Sequence, residues 1–185
     1  SGKAGLVLNI GGIANLTVLA DSAQGTPGGF DTGPGNVLMD GWIHSQTGAP
    51  YDKDGQWADG GHIIDGLLTQ MLDDPYFQRP PPKSTGREHF NQSWLESHIR
   101  SYQTGTGHSS IAAVDIQRTL LELTAVSITR AVQQYGKGYS RLAVCGGGAH
   151  NGALMSRLQQ SMPDLHVCSS DELGMAPDWV EAATF

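Results

Sequence analysis

Cysteine is scarce in this sequence, which carries only Cys145 and Cys168. Two thiols do not make the framework that staples a small secreted domain. Each falls near the end of a short β-like run, where small thiols pack, so both are expected to be buried and reduced in a cytoplasmic protein. No apolar stretch approaches the ~20 residues of a membrane-spanning helix. Ser1-Gly2-Lys3 does not begin a signal peptide, and a soluble protein is expected. Positive charge is also sparse: 11 Lys and Arg are scattered against 18 Asp and Glu, for a formal net charge of −7. Nucleic-acid and anionic-membrane surfaces need clustered cations, so neither partner is expected. The seven histidines show no His-x-x-x-His spacing and the cysteines no Cys-x-x-Cys spacing, which leaves a protein-ligated metal site without sequence support.

Glycine, by contrast, is plentiful and sits where chemistry needs backbone. In Gly28-Gly29-Phe30-Asp31-Thr32-Gly33-Pro34-Gly35-Asn36 a lone carboxylate, Asp31, lies in what reads as a glycine-rich turn between a strand and a helix. Apolar residues at helical spacing follow from Val37 to Ile43, with Asn36 as N-cap, so Asp31 stands just ahead of a helix N-terminus, where unpaired N–H groups favour anions. The plain alternative is a tight turn whose Asp bonds only locally. Upstream, Leu6-Val7-Leu8-Asn9 and Leu16-Thr17-Val18-Leu19 flank Ile10 to Asn15, a hairpin whose Gly11-Gly12 tip is either a simple turn or a phosphate cradle of N–H groups. Downstream, the strand-like Arg141-Leu142-Ala143-Val144-Cys145 enters Gly146-Gly147-Gly148-Ala149-His150-Asn151 and then a helical pattern from Ala153. This strand, glycine turn, helix unit delivers ligands to a strand's carboxyl end in α/β folds. It is not Gly-x-Gly-x-x-Gly, since Asn151 occupies the last place, and no Walker Lys-Ser/Thr follows.

Between these units, Gly48 to Gly61 reads as a solvated loop; its Asp52, Asp54 and Asp59 lack the spacing of a calcium loop. Ile63, Ile64, Leu67, Leu68, Met71 and Leu72 trace one apolar helix face. Pro80-Pro81-Pro82 forces extended backbone before Lys83-Ser84-Thr85-Gly86-Arg87-Glu88, either a surface loop or an anion contact. A short helix around Trp94 to Ile99, capped by Asn91, leads to a mobile loop from Tyr102 to Ser110, then to a long buried helix from Asp115 as N-cap through Val132. A strand at Leu165 to Cys168 and a helix from about Asp178 end the pattern. The elements predict a three-layer α/β domain with a mixed sheet flanked by helices. Both ends read as interrupted elements, and the chain is expected to be part of a longer protein.

Leu8 to Thr17, Gly29 to Asn36, Lys83 to Glu88 and Val144 to Ala149, in this order and at these intervals, closely resemble the bacterial anhydro-N-acetylmuramic acid kinases over nearly the whole chain. The resemblance implies a ribonuclease-H-like, actin-like ATPase fold. It implies that residues 1–185 form a single carboxyl-terminal lobe of a two-lobe kinase, with a helical insertion at about 48–110 and the amino-terminal lobe absent. The implied reaction uses ATP to open the 1,6-anhydro ring of anhydro-N-acetylmuramic acid with water and to phosphorylate oxygen 6, in cell-wall recycling; the isolated lobe is expected to be inactive. Asp31 matches the family's base, Glu181 a second carboxylate near the site, Gly11, Gly12 and Asn15 a phosphate-contacting hairpin, and Gly146, Gly147 and Gly148 an adenosine-binding turn. Mg²⁺ is implied by the triphosphate rather than by a ligand set in this chain. Lys83 and Arg87 stay open between a substrate anion, lobe contacts and homodimer contacts.

Two other readings compete. Phe30-Asp31-Thr32-Gly33 also looks like an aspartic-protease triplet, which needs a second carboxylate sharing a proton and a mostly β chain. A detached lobe could also bind nucleotide or sugar without turnover.

Overall fold

Leu6, Leu8 and Ile10 alternate with Val7 along β1 (Gly5–Ile10), and all four are buried, as a strand covered on both faces requires. β1 pairs antiparallel with β2 (Ile13–Leu19), Leu8 opposite Leu16, and β2 antiparallel with β3 (Gly28–Pro34). β4 (Arg141–Cys145) joins β1 in parallel and β5 (His166–Ser169) joins β4 in parallel, giving the order β3-β2-β1-β4-β5. The computed structural model describes residues 5–19 and 28–174. The polar loop expected from Asp21 to Thr26, the helix expected from about Asp178, and Glu181 lie outside them.

The sheet is mixed and flanked by helices, as expected. Leu6, Leu8, Leu16, Phe30, Leu142 and Val144 share one core with the helices, while Val7 and Cys145 form a small separate cluster. The scaffold of that core is α6 (Ala113–Tyr135), with Ile116, Leu120, Leu123, Ile128 and Val132 buried. Each such side chain contributes about 1.5–3 kcal/mol of burial. Thr124, on α6, donates from Oγ1 to the carbonyls of Pro34 (3.1 Å) and Gly35 (2.9 Å), gripping the end of β3. α1 (Val37–Thr47) packs on α6, and Trp42 Nε1 donates to the Ala113 carbonyl at 2.8 Å. α7 (Gly152–Ser161) is tied to α6 by Arg157, whose Nε and Nη2 reach the Glu122 carboxylate at 2.9 and 2.7 Å.

Several local expectations change. Asp31 lies inside β3 rather than in a turn. The chain stays extended because this edge of the sheet is covered: Asp31 N–H donates to the Lys83 carbonyl (3.2 Å), and the bend waits until Gly35. The first hairpin is tighter than expected, since Ile13 and Asn15 belong to β2 and only Gly11-Gly12 make the tip. Asp115 is not the cap of α6. It sits in the first turn behind Ala112, and its carboxylate accepts the His62 N–H at 2.8 Å.

α5 (Gln92–Thr106) runs well past Ile99, so half of the expected mobile loop is helix; Asn91 caps it and Tyr102 packs on the core. The 48–61 stretch is organised rather than merely solvated. Asp52 is buried, and its two oxygens accept the N–H groups of Trp57 and Ala58, both at 2.9 Å, starting α2 (Gln56–Asp59). α3 (Asp65–Leu72) carries the expected apolar face, and α4 (Pro75–Gln78) is a single turn capped by Asp74.

Candidate active site

Because β1 and β4 run parallel, their carboxyl ends emerge side by side, and the two glycine motifs meet there. Gly146 has φ +81°, and a Cβ on it would meet the Ile10 carbonyl oxygen at 2.7 Å; one on Gly148 would collide with the Ile10 side chain. The Gly146–Gly148 turn is therefore seated on the end of β1, beside the Gly11-Gly12 tip. Asn151, where a third glycine was lacking, accepts the Leu154 N–H at 3.0 Å and caps α7. An open cavity of about 410 Å³ adjoins the turn, lined by Asn36, Asp40, Tyr51, Gly147 and His150 among others.

Asp31 stands opposite Asn15 in the β2–β3 register, close to the same end. Asn15 Nδ2 donates to Asp31 Oδ1 at 2.9 Å, and Asn15 Oδ1 accepts from Thr17 Oγ1 at 3.3 Å, which fixes the way the amide points. The backbone N–H of Thr85 donates to Asp31 Oδ2 at 3.0 Å. Each carboxylate oxygen thus accepts one hydrogen bond and keeps a lone pair for a further proton donor. Two expected site residues, Asp31 and Asn15, are in direct contact; the five glycines, Gly11, Gly12 and Gly146 to Gly148, lie at the same sheet end, and Glu181 lies outside the described residues.

The helix N-terminus beyond Asp31 is not an anion site. The N–H groups of Gly35, Asn36 and Val37 donate to the carbonyls of Gly12, Gly11 and Gly12, at 2.8, 2.8 and 3.1 Å. Asn36 holds the cap position without a side-chain cap bond; its Nδ2 turns to the Ile10 carbonyl instead, at 3.4 Å. The close approach requires glycine, since a Cβ on Gly35 would overlap the Gly11 carbonyl.

The Lys83–Arg87 run, ambiguous in the sequence, lies along the Asp31 strand. Lys83 Nζ donates to the Tyr76 carbonyl at 3.2 Å and sits 4.7 Å from the Tyr76 ring centre, while burial and the neighbouring Arg79 charge lower its pKa. Its ammonium forms no ion pair with the Asp31 carboxylate within 4 Å. Arg87 reaches the hairpin tip. Asp40, on α1, is half-buried, and its pKa is pushed up to about 6 by that burial and by Asp52, against the opposing pull of Arg87.

Tyr76 is the residue the sequence least announced. It is 2% exposed, sits in a box with Phe77, His89 and Phe90, and its hydroxyl donates to the Asp31 carbonyl. Asp74 holds the box by accepting from Tyr76 N–H (2.9 Å), His89 Nε2 (2.8 Å) and Trp94 Nε1 (2.9 Å). Burial alone would raise the Asp74 carboxyl, but these bonds outweigh it and hold it below the usual carboxylate value. Among the described residues no cluster of three or more His, Cys, Asp or Glu side chains is placed to hold a metal ion.

A mixed sheet in this order, flanked by helices, is the actin-like fold. Two solved structures share the fold with TM-scores of 0.55 at 13% identity: the activator of the 2-hydroxyisocaproyl-CoA dehydratase from Clostridium difficile with bound ADPNP (92% of this chain, 55% of that one), and component A of the (R)-2-hydroxyglutaryl-CoA dehydratase from Acidaminococcus fermentans (91% and 56%). The family model for anhydro-N-acetylmuramic acid kinase matches residues 1–185, and the chain belongs to that family. A curated anhydro-N-acetylmuramic acid kinase from Chromohalobacter salexigens is 50% identical over 97% of this chain. The chain spans about half the length of that relative, 48%.

Proposed function

We propose that this chain is the carboxyl-terminal lobe of a cytoplasmic kinase that opens the 1,6-anhydro ring of anhydro-N-acetylmuramic acid and transfers the γ-phosphoryl group of ATP to oxygen 6. The observation that carries the reading is the Asp31 carboxylate, oriented from both sides by Asn15 and Thr85 at the sheet end that also bears the two glycine motifs. In this reading Asp31 takes a proton from water as the water oxygen bonds to the anomeric carbon. The bond from that carbon to oxygen 6 breaks, and oxygen 6 attacks the γ-phosphorus as ADP leaves. One base serves both bond changes.

Gly11 and Gly12 present backbone to the phosphates, and Gly146 to Gly148 accept the adenosine without a side chain in the way. The glycine motifs offer backbone N–H groups, which suit phosphate rather than a cation, so a Mg²⁺ would be held mainly by the triphosphate and water. By the resemblance, Glu181 is read as a second carboxylate near the site. The remaining sugar and phosphate contacts come from an amino-terminal lobe, so the isolated chain should bind ATP weakly and turn over nothing.

The aspartic-protease reading fails on the fold: Asp31 sits in a helix-flanked mixed sheet, and the sequence has no second Asp-Thr-Gly. Binding without turnover is separated from kinase action by one assay. Full-length protein is incubated with ATP, Mg²⁺ and anhydro-N-acetylmuramic acid, and the expected product is N-acetylmuramic acid 6-phosphate with one ADP. Binding of both ligands with no product would favour the binding module.

A further inference from the structure

Among the described residues, the Arg87 guanidinium lies against the Gly11-Gly12 tip. A Cβ placed on Gly12 would lie 3.5 Å from Arg87 Nη2 and 3.8 Å from Nε, so the guanidinium lies against the tip itself. Its backbone is pinned there. The Gly86 carbonyl accepts the N–H groups of His89 and Phe90, both at 3.1 Å, the Arg87 carbonyl accepts Asn91 Nδ2 at 2.9 Å, and Phe90 is fully buried. Two residues upstream, Thr85 holds the Asp31 carboxylate, so a single short segment ties Asp31 to the tip.

The side chain is exposed and, among the described residues, makes no hydrogen bond and no ion pair within 4 Å. Asp40, the acid that feels its charge, is half-buried and forms no ion pair with it within 4 Å. The N–H groups of Gly11 and Gly12 likewise donate to no acceptor among the described residues. A guanidinium fork thus lies beside two backbone donors at the hairpin tip. A planar carboxylate is satisfied by the fork alone; three terminal oxygens on phosphorus use all of these donors.

We propose that Arg87 binds the transferred phosphoryl group of ATP, acting with the Gly11 and Gly12 N–H groups. This rests on the kinase reading above and assigns a residue to its acceptor end. In a chain of net charge −7, a fixed cation at this point also offsets the repulsion a polyanion meets. Its placement on the Asp31 segment aligns the phosphoryl group with the base rather than with the adenosine turn.

The test measures binding, so it does not depend on turnover. Full-length wild-type, Arg87→Gln and Arg87→Lys proteins are titrated calorimetrically with a non-hydrolysable ATP analogue, ADP and anhydro-N-acetylmuramic acid, with melting curves as the folding check. Loss of a charge-assisted contact predicts an affinity for the ATP analogue lower by about 10- to 100-fold in Arg87→Gln, with Lys partly restoring it and ADP and sugar affinities little changed. Unchanged analogue affinity in a folded Arg87→Gln protein would overturn the proposal. So would equal losses for the analogue and ADP, which put the guanidinium on an inner phosphate, or a loss confined to the sugar. An active Asp31→Asn enzyme would defeat the kinase mechanism while leaving this binding result standing.

Discussion

The hydroxyl of Tyr76 donates a 2.7 Å hydrogen bond to the backbone carbonyl of Asp31, 45 residues away in sequence. Burial and the Asp31 charge raise the phenol's pKa, so it remains a neutral donor at any working pH. Tyr76→Phe removes this bond and keeps the ring in its aromatic box. The expected result in full-length protein is a stability loss of about 1–2 kcal/mol and a kcat several-fold lower with KM for both substrates nearly unchanged. Chemical denaturation and steady-state kinetics measure the two, and an unaltered kcat would show that the strand holds Asp31 without the phenol.

Asp40 makes stability depend on pH in an unusual direction. Its folded pKa of about 6 lies above the model-compound value of 3.8, so the folded state binds the extra proton between those limits. Its contribution is therefore fully present below about pH 4 and is lost as pH rises through 6. Discounted for half-exposure, Asp40→Asn should stabilise the protein by about 1–2 kcal/mol at pH 7 and not at pH 4. Denaturation curves at the two pH values check it; equal effects at both would remove Asp40 as the titrating group.

Gly35 lets the start of α1 rest on the hairpin tip. Gly35→Ala places a methyl against the Gly11 carbonyl and should separate the three N–H to carbonyl contacts that hold the tip. A loss of about 2–4 kcal/mol is expected, with ATP affinity falling in the same variant. A fully stable Gly35→Ala protein would mean that tip and helix are not rigidly joined.

Glu122 is 5% exposed at its side chain and faces Arg157 at 2.7 Å and Arg118 at 4.0 Å. Glu122→Gln leaves two guanidinium groups facing each other without the anion between them. Because Arg157 is partly exposed, about 2–3 kcal/mol is expected, below the full cost of an orphaned buried charge. The double variant Glu122→Gln/Arg157→Met should recover part of that loss.

Much of the architecture was legible because its signals are local. Leu6, Leu8 and Ile10 alternate with strand period, Ile116 to Val132 repeat with helix period, and Asn91 stands before an amphipathic run. The Asp31 stretch misled because its glycines signal a turn by composition, whereas its extension comes from Lys83 pairing with the open edge of β3. Asp115 looked like a cap but serves His62, and Asp52 looked solvated but starts a buried turn. Tyr76 and Thr85 had no sequence signal as neighbours of Asp31, since a hydrogen bond spanning 45 or 54 residues leaves no period to read. Position separates Lys83 from Arg87, which the sequence left alike: one packs on Tyr76, the other stands at the tip.

The central claim is that Asp31 is the base that activates water, and Asp31→Asn in full-length protein tests it most directly. Asparagine keeps the size of the side chain and a hydrogen bond to Thr85 N–H, but it cannot take the proton. The account predicts a folded variant with near wild-type ATP binding and a kcat for phosphorylation of anhydro-N-acetylmuramic acid lower by about 10²–10⁴-fold. A near wild-type kcat in a folded, ATP-binding Asp31→Asn protein would contradict it.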